Sequence, residues 1–109
     1  IENANVSVGD VYAFDDSGHR NYLTNLIDQT EILRGYTDCF GHSLVFRGAM
    51  DAMIDPVVSI WDIAPLAAMA VEAGGEYYDF DGKRSIRSGT FITSNPGLKG
   101  QILSAIAKR

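Results

Sequence analysis

Apolar residues recur along this chain at two spacings, and the changes between them divide it into elements. "NVSVGDVYAF" sets Val6 and Val8, then Val11 and Ala13, at alternate positions around Gly9-Asp10, which predicts one or two short strands. "DDSG", Asp15 to Gly18, is turn chemistry. In "RNYLTNLIDQ", Tyr22, Leu23, Leu26 and Ile27 fall at helical spacing, so a short amphipathic helix follows, and then a strand through Glu31 to Tyr36. From Thr37 the pattern is helical again. Phe40, Leu44, Val45 and Phe46 suit a helix begun by Thr37 or Asp38 and ended near Gly48. "MDAMID" alternates like a short strand and is closed by Asp55-Pro56.

"IWDIAPLAAMAVEAGG" is the clearest helix, with Asp62 as candidate N-cap, Pro65 tolerated in the first turn and Gly74-Gly75 as the stop. "EYYDFDGKR" predicts a strand with an Asp81-Gly82 turn, and Ser88 to Asn95 a further strand that ends in a cap. Asn95-Pro96 starts a last helix carrying Leu98, Ile102, Leu103 and Ile106 on one face. Strands alternating with helices imply an α/β fold: a layered, mixed and mainly parallel sheet with flanking helices, in one domain spanning residues 1–109. The helix after Trp61 has no polar face between Ile63 and Val71. Such a helix is normally buried on more than one side. One sheet covers one face, so the other asks for a partner subunit or for more protein than these residues supply.

Composition narrows the function classes. With 109 residues, 46% of them hydrophobic and 21% charged, the chain suits a single globular domain. Nine Lys and Arg against 14 Asp and Glu give a net charge of -5, with no basic cluster to neutralise a phosphate backbone, so nucleic acid is not an expected partner. The apolar run Ile63 to Val71 is far shorter than the roughly 20 residues a membrane span needs, and no targeting pattern opens the chain. No membrane association is expected. Cys39 is the only cysteine, which excludes an intrachain disulfide and fits a reducing, cytoplasmic compartment. Ile1 in place of an initiator Met suggests a processed or partial chain.

Three carboxylates are the candidate chemistry. Asp62 either caps its helix or holds a divalent cation at the positive end of the helix dipole, and one carboxylate can do both. Asp55 either shapes an Asp-Pro turn or makes a polar contact at a strand's C-terminal end, where ligands collect in α/β sheets. Asp38 either pairs with His42 one turn on or recognises a cationic substrate group. Cys39 and His42 have ligand types, but no second Cys completes a zinc site, and core packing is the better account. "DFDG", Asp79 to Gly82, lacks the later Glu of a calcium loop and reads as a turn. No G-x-S-x-G, Walker or dinucleotide pattern occurs, so nucleophile-triad chemistry has no support.

"WDIAPLAAMAVEAGG" resembles the C-terminal signature of the inositol monophosphatase family, and "RGYTDCFGHSLVFRGAMDAMIDPVVS" resembles that family's histidinol-phosphate phosphatase branch. The resemblance is close over Glu31 to Arg109 and loose before it. It implies the C-terminal lobe of an αβαβα fold and Mg²⁺-dependent hydrolysis of a small phosphomonoester. It makes Asp62 a metal ligand, gives Asp38 and Asp55 contact with the non-phosphate part of the substrate, and adds Arg34 on the same wall, where a strand-end ion pair is the alternative. The complete enzyme would be a homodimer. The family's other ligands lie in a Gly-Glu-Glu-like segment and an Asp-Pro-x-Asp-Gly-Thr segment, neither of which occurs here. The expectation is therefore a lobe that supplies no complete catalytic set and is inactive without its N-terminal, metal-binding counterpart. A lobe of an inositol or other sugar monophosphatase, and a non-catalytic assembly module, are the alternatives.

Overall fold

The computed structural model describes residues 3–107; Ile1, and with it the expectation of a processed or partial chain, lies outside the described residues. In chain order the elements are β1 (Asn5–Val8), α1 (Val11–Asp16), α2 (Arg20–Gln29), β2 (Ile32–Arg34), α3 (Asp38–Phe46), β3 (Ala52–Asp55), α4 (Ile60–Glu72), β4 (Glu76–Tyr78), β5 (Phe91–Ser94) and α5 (Lys99–Ile106). The strands form one sheet in the order β2-β1-β3-β5-β4. β1 runs parallel to β2 and β3, while β5 is antiparallel to both β3 and β4. Four strands therefore share a direction and β5 alone is reversed, which is the mixed, mainly parallel α/β sheet that the alternation of elements predicts.

Side-chain alternation along the strands divides the core into two layers. On one face, Val6, Val8, Ala52, Ile54, Tyr78 and Ile92 pack against Phe14, Leu26, Ile102 and Ile106 of α1, α2 and α5. On the other, Met53 meets Val45 and Met50, and Phe91 meets Ile63, Leu66 and Ala67 of α4. Burying each such Ile, Leu or Phe contributes roughly 1.5–3 kcal/mol. β3 lies between the two layers and is buried at all four positions, so Asp55 arrives at its C-terminal end already held by a rigid strand. At the opposite end of the sheet Asp51 ties three segments together. Its carboxylate accepts the Asn5 N–H and the Asn95 side-chain amide, both at 2.8 Å.

Four sequence expectations change. Val11 to Ala13 is not strand but the first turn of α1, because Asp10 Oδ1 accepts the Tyr12 N–H at 2.9 Å and starts a helix directly after Gly9. The strand expected from Glu31 to Tyr36 shortens to Ile32–Arg34 at the sheet edge. Past Tyr78 the chain leaves the sheet to wrap around the buried Asp79 carboxylate, which accepts the N–H groups of Asp81 and Lys83 and the Ser88 hydroxyl. Pro65 sits in the second turn of α4, not the first, and removes the bond to the Trp61 carbonyl at a residue that is 87% exposed. The stop does fall where the glycines place it. Gly74 has φ +80°, and the Gly75 N–H reaches the Ala70 carbonyl at 2.9 Å, a Schellman closure.

α4 buries Ile63, Leu66, Ala67 and Ala70 on the sheet. Its other side leaves Trp61, Ala64, Pro65, Ala68, Met69 and Val71 exposed, so the helix with no polar face is covered on one side only among the described residues.

Asp79 has a consequence for acid stability. Burial opposes its ionisation, but the Ser88 hydroxyl, the Lys83 and Asp81 N–H groups and the Lys83 charge outweigh this and hold the carboxyl below its ordinary value. A depressed folded-state pKa adds stability above the unfolded value, which is lost as pH falls through the folded one. Asp79→Asn is thus expected to flatten the decline in urea midpoint between about pH 5 and pH 3. An unchanged slope would remove Asp79 from the account of acid unfolding.

Candidate active site

A cleft of about 180 Å³ opens beyond the C-terminal end of β3, between the first turns of α3 and α4. Asp38, Asp55 and Asp62 all line it, with Val58 and Leu66 among its apolar walls. This is the carboxyl end of parallel strands, the side of an α/β sheet on which ligands usually bind.

Each carboxylate reaches the cleft by a different local device. Asp38 opens α3 in a left-handed conformation, φ +57°, which is uncommon outside glycine and is tolerated best by Asp and Asn. Asp62 is the third residue of α4 and not its cap. Ser59 holds the N-cap position, and its hydroxyl donates to Asp62 Oδ2 at 2.9 Å. Asp62 is exposed and no second protein partner engages it among the described residues, leaving Oδ1 available to a ligand at the positive end of the helix. Asp55, at the end of β3, is 8% exposed. The pairing of Asp38 with His42 does not form: His42 Nε2 pairs instead with Asp55 Oδ2 at 2.8 Å, and its Nδ1 lies 2.7 Å from Thr93 Oγ1. Arg34 is not brought to the cleft. It lines a separate open groove along β2 and α3 with Ile32, Tyr36 and Phe40.

Sequence reasoning passes over Thr93 and the close approach at Gly9, and it gives His42 and Cys39 to core packing, which holds for His42 but not for Cys39, exposed at the cleft. His42 and Thr93 are fully buried, and the His42 ring stands edge-on to Phe91 at 5.1 Å. Asp55, His42 and Thr93 form a carboxylate-imidazole-hydroxyl chain like that of a nucleophile triad, yet Thr93 has no solvent access and so cannot meet a substrate. The sequence offered one trace of it, the inward-facing hydroxyl at the middle of "FITS". Gly9 is needed for close approach, since a Cβ there would overlap Asp55 Oδ1. Gly9→Ala is expected to cost about 1–3 kcal/mol through overpacking, measured by urea unfolding; a variant as stable as the parent would show that Asp55 can swing aside at no cost.

The electrostatics favour a cation. No Lys or Arg lines the cleft, so three acids would repel a phosphate dianion, with only the N–H ends of α3 and α4 to offset them. Carboxylate oxygens are the donors that Mg²⁺ or Ca²⁺ prefers. Among the described residues, however, no three His, Cys, Asp or Glu stand close enough to form a complete metal site. The donors present fit one edge of a divalent site and not a whole one.

Residues 7–109 match the model of the inositol monophosphatase family. A histidinol-phosphatase from Chlorobaculum parvum is 34% identical over 85 residues, which cover 73% of this chain and 33% of that protein. Another from Mycobacterium tuberculosis is 29% identical over 97% of this chain and 41% of its own length. Among solved structures, an inositol monophosphatase from Zymomonas mobilis superposes with a TM-score of 0.88 at 18% identity, covering 98% of this chain and 43% of that one. An IMPase/NADP phosphatase in complex with Mg²⁺ and phosphate gives a TM-score of 0.76 at 22% identity, over 96% of this chain and 40% of its own. The chain thus spans 33–41% of the length of curated relatives it matches.

Proposed function

The chain belongs to the inositol monophosphatase family, and from that premise we propose that it is the C-terminal lobe of a cytoplasmic, divalent-metal-dependent phosphatase acting on histidinol phosphate in histidine biosynthesis. The observation that carries this reading is the convergence of Asp38, Asp55 and Asp62 on one cleft at the carboxyl end of the sheet. The names of the curated relatives and the Mg²⁺ and phosphate bound to a protein of the same fold support it.

Asp62 would hold Mg²⁺ through its free oxygen, while Ser59 fixes the other. When bound, such an ion neutralises phosphate charge and activates water for in-line attack. The chain's own residues do the remaining work: the first turns of α3 and α4 present N–H groups to the anion, Leu66 and Val58 wall off water, and Asp38 and Asp55 accept hydrogen bonds from the substrate's ammonium. The acidic cleft favours an amine-bearing phosphomonoester over inositol phosphate, which carries no positive charge to meet two carboxylates.

One protein ligand does not hold Mg²⁺ tightly, so the remaining carboxylates belong to an N-terminal lobe, and the exposed side of α4 is a surface for that lobe or for the second protomer of a homodimer. Under single-turnover conditions the purified 109-residue chain is expected to hydrolyse histidinol phosphate no faster with Mg²⁺ than without. Robust Mg²⁺-dependent hydrolysis would refute this division of labour. In the enzyme joined to its N-terminal lobe, Asp38→Asn is expected to raise KM for histidinol phosphate roughly tenfold, the value of one charge-assisted hydrogen bond, and to leave inositol phosphate turnover unchanged. Equal losses on both substrates would favour the inositol reading. The uncovered apolar side of α4 also suits a non-catalytic assembly module, which predicts no hydrolysis even with the N-terminal lobe present.

A further inference from the structure

Asp55 is the most constrained carboxylate of the cleft, and everything that constrains it is buried. Its Oδ2 accepts from His42 Nε2 at 2.8 Å. Its Oδ1 lies against Gly9, where a Cβ would overlap it, and Pro56 follows it in the chain. A carboxylate accepts hydrogen bonds, so this pairing calls for the tautomer with its proton on His42 Nε2. Thr93 Oγ1, 2.7 Å from Nδ1, closes the other end of the ring, and Phe91 packs edge-on against it. β3 and β5 pair Met53 with Thr93 and Asp55 with Phe91, so the sheet register itself sets the spacing into which the His42 ring fits.

We infer that His42 is a positioning residue: its Nε2–H, backed by Thr93, fixes the Asp55 carboxylate toward the cleft and so sets the preference for a phosphomonoester that carries an amine. This rests on the substrate reading above. A carboxylate already locked in one rotamer loses no freedom when an ammonium binds it, whereas a free one must be ordered by the ligand. His42 stands in the wall of the cleft but has no solvent-exposed surface, so its route to the substrate runs through the Asp55 carboxylate.

The test uses the enzyme joined to its N-terminal lobe, with histidinol phosphate and glycerol phosphate as the amine-bearing and amine-free probes. His42→Phe keeps a ring against Phe91 and removes both nitrogens. It is expected to raise KM for histidinol phosphate roughly tenfold or more, the loss of a hydrogen bond to a charged group, with kcat and the constants for glycerol phosphate little changed. His42→Gln, whose amide can take the place of Nε2–H, is expected to recover most of the loss. A fall of equal size on both probes, or a folded Gln variant no better than Phe, overturns the assignment.

Should the Phe variant fail to fold, Thr93→Val serves in its place, and ¹H–¹⁵N spectroscopy of the ligand-free wild type gives a readout independent of substrate. The proton is expected on Nε2, with a shift that moves in Asp55→Asn. A proton on Nδ1 with Nε2 bare overturns the positioning role. If the wild-type enzyme shows no preference for the amine, the substrate reading falls, and the tautomer alone decides whether His42 positions Asp55.

Discussion

Asp62→Asn in the enzyme joined to its N-terminal lobe is expected to lower kcat/KM by roughly 10²–10³-fold at limiting Mg²⁺, corresponding to about 3–4 kcal/mol of the stabilisation a bound cation provides. The size follows from what the substitution leaves in place. Asn keeps an oxygen for the Ser59 hydroxyl and fits the first turn of α4, so the helix start survives. What goes is one negative charge on a ligand whose cation prefers carboxylate. Raising Mg²⁺ should therefore recover a large share of the rate, and the folding midpoint should move little. Undiminished activity at limiting Mg²⁺ would remove Asp62 from the metal site; a collapse in stability would assign it to the helix alone.

Phe91→Ala is expected to cost about 3–5 kcal/mol of folding stability, the usual range for a buried aromatic ring removed from a packed core. Phe91 is fully buried in β5, where it packs with Ile63, Leu66 and Ala67 and stands against the rings of His42 and Tyr77. Those are the contacts that seat α4 on the sheet and hold His42 under Asp55, so a variant that remains folded should also bind substrate poorly. Urea unfolding gives the stability term. Phe91→Leu separates the two effects, since it refills much of the cavity without restoring the edge-on contact to His42. A cost below about 1 kcal/mol for the Ala variant would mean that α4 is seated by other contacts.

Much of the architecture is legible in the order of the residues alone. Alternation and helical spacing placed the helices around Leu26, Leu44 and Ile102 and the strand "AMID", because burying one face of a helix or strand dictates where apolar residues recur. Gly74-Gly75 marked its helix end because few residues other than glycine adopt the left-handed turn a Schellman closure needs. The pattern failed at Val11 to Ala13, which alternate like a strand but follow Asp10, whose side chain caps a helix. It failed again past Tyr78, where three donors converging on Asp79 outweigh strand propensity.

The site divides in the same way. Asp62 was recognisable as a candidate metal ligand, and Asp38 and Asp55 as candidate substrate contacts, because the stretches that hold them resemble one family's motifs, and the fold brings all three to one cleft. Arg34 looked equivalent in the sequence, yet it ends an edge strand and lines a different groove. Which residue caps α4 turned on a shift of one helical turn, and the backbone chose Ser59. His42 is 13 residues from Asp55 and 51 from Thr93, and no local pattern joins residues so far apart. What the sequence determined by itself is what neighbouring residues decide: periodicity, turns, charge and a family signature. Which carboxylate is clamped, which arginine is excluded and which face of α4 is left bare depend on strand order and register, and these are set by long-range burial that no single stretch of the chain contains.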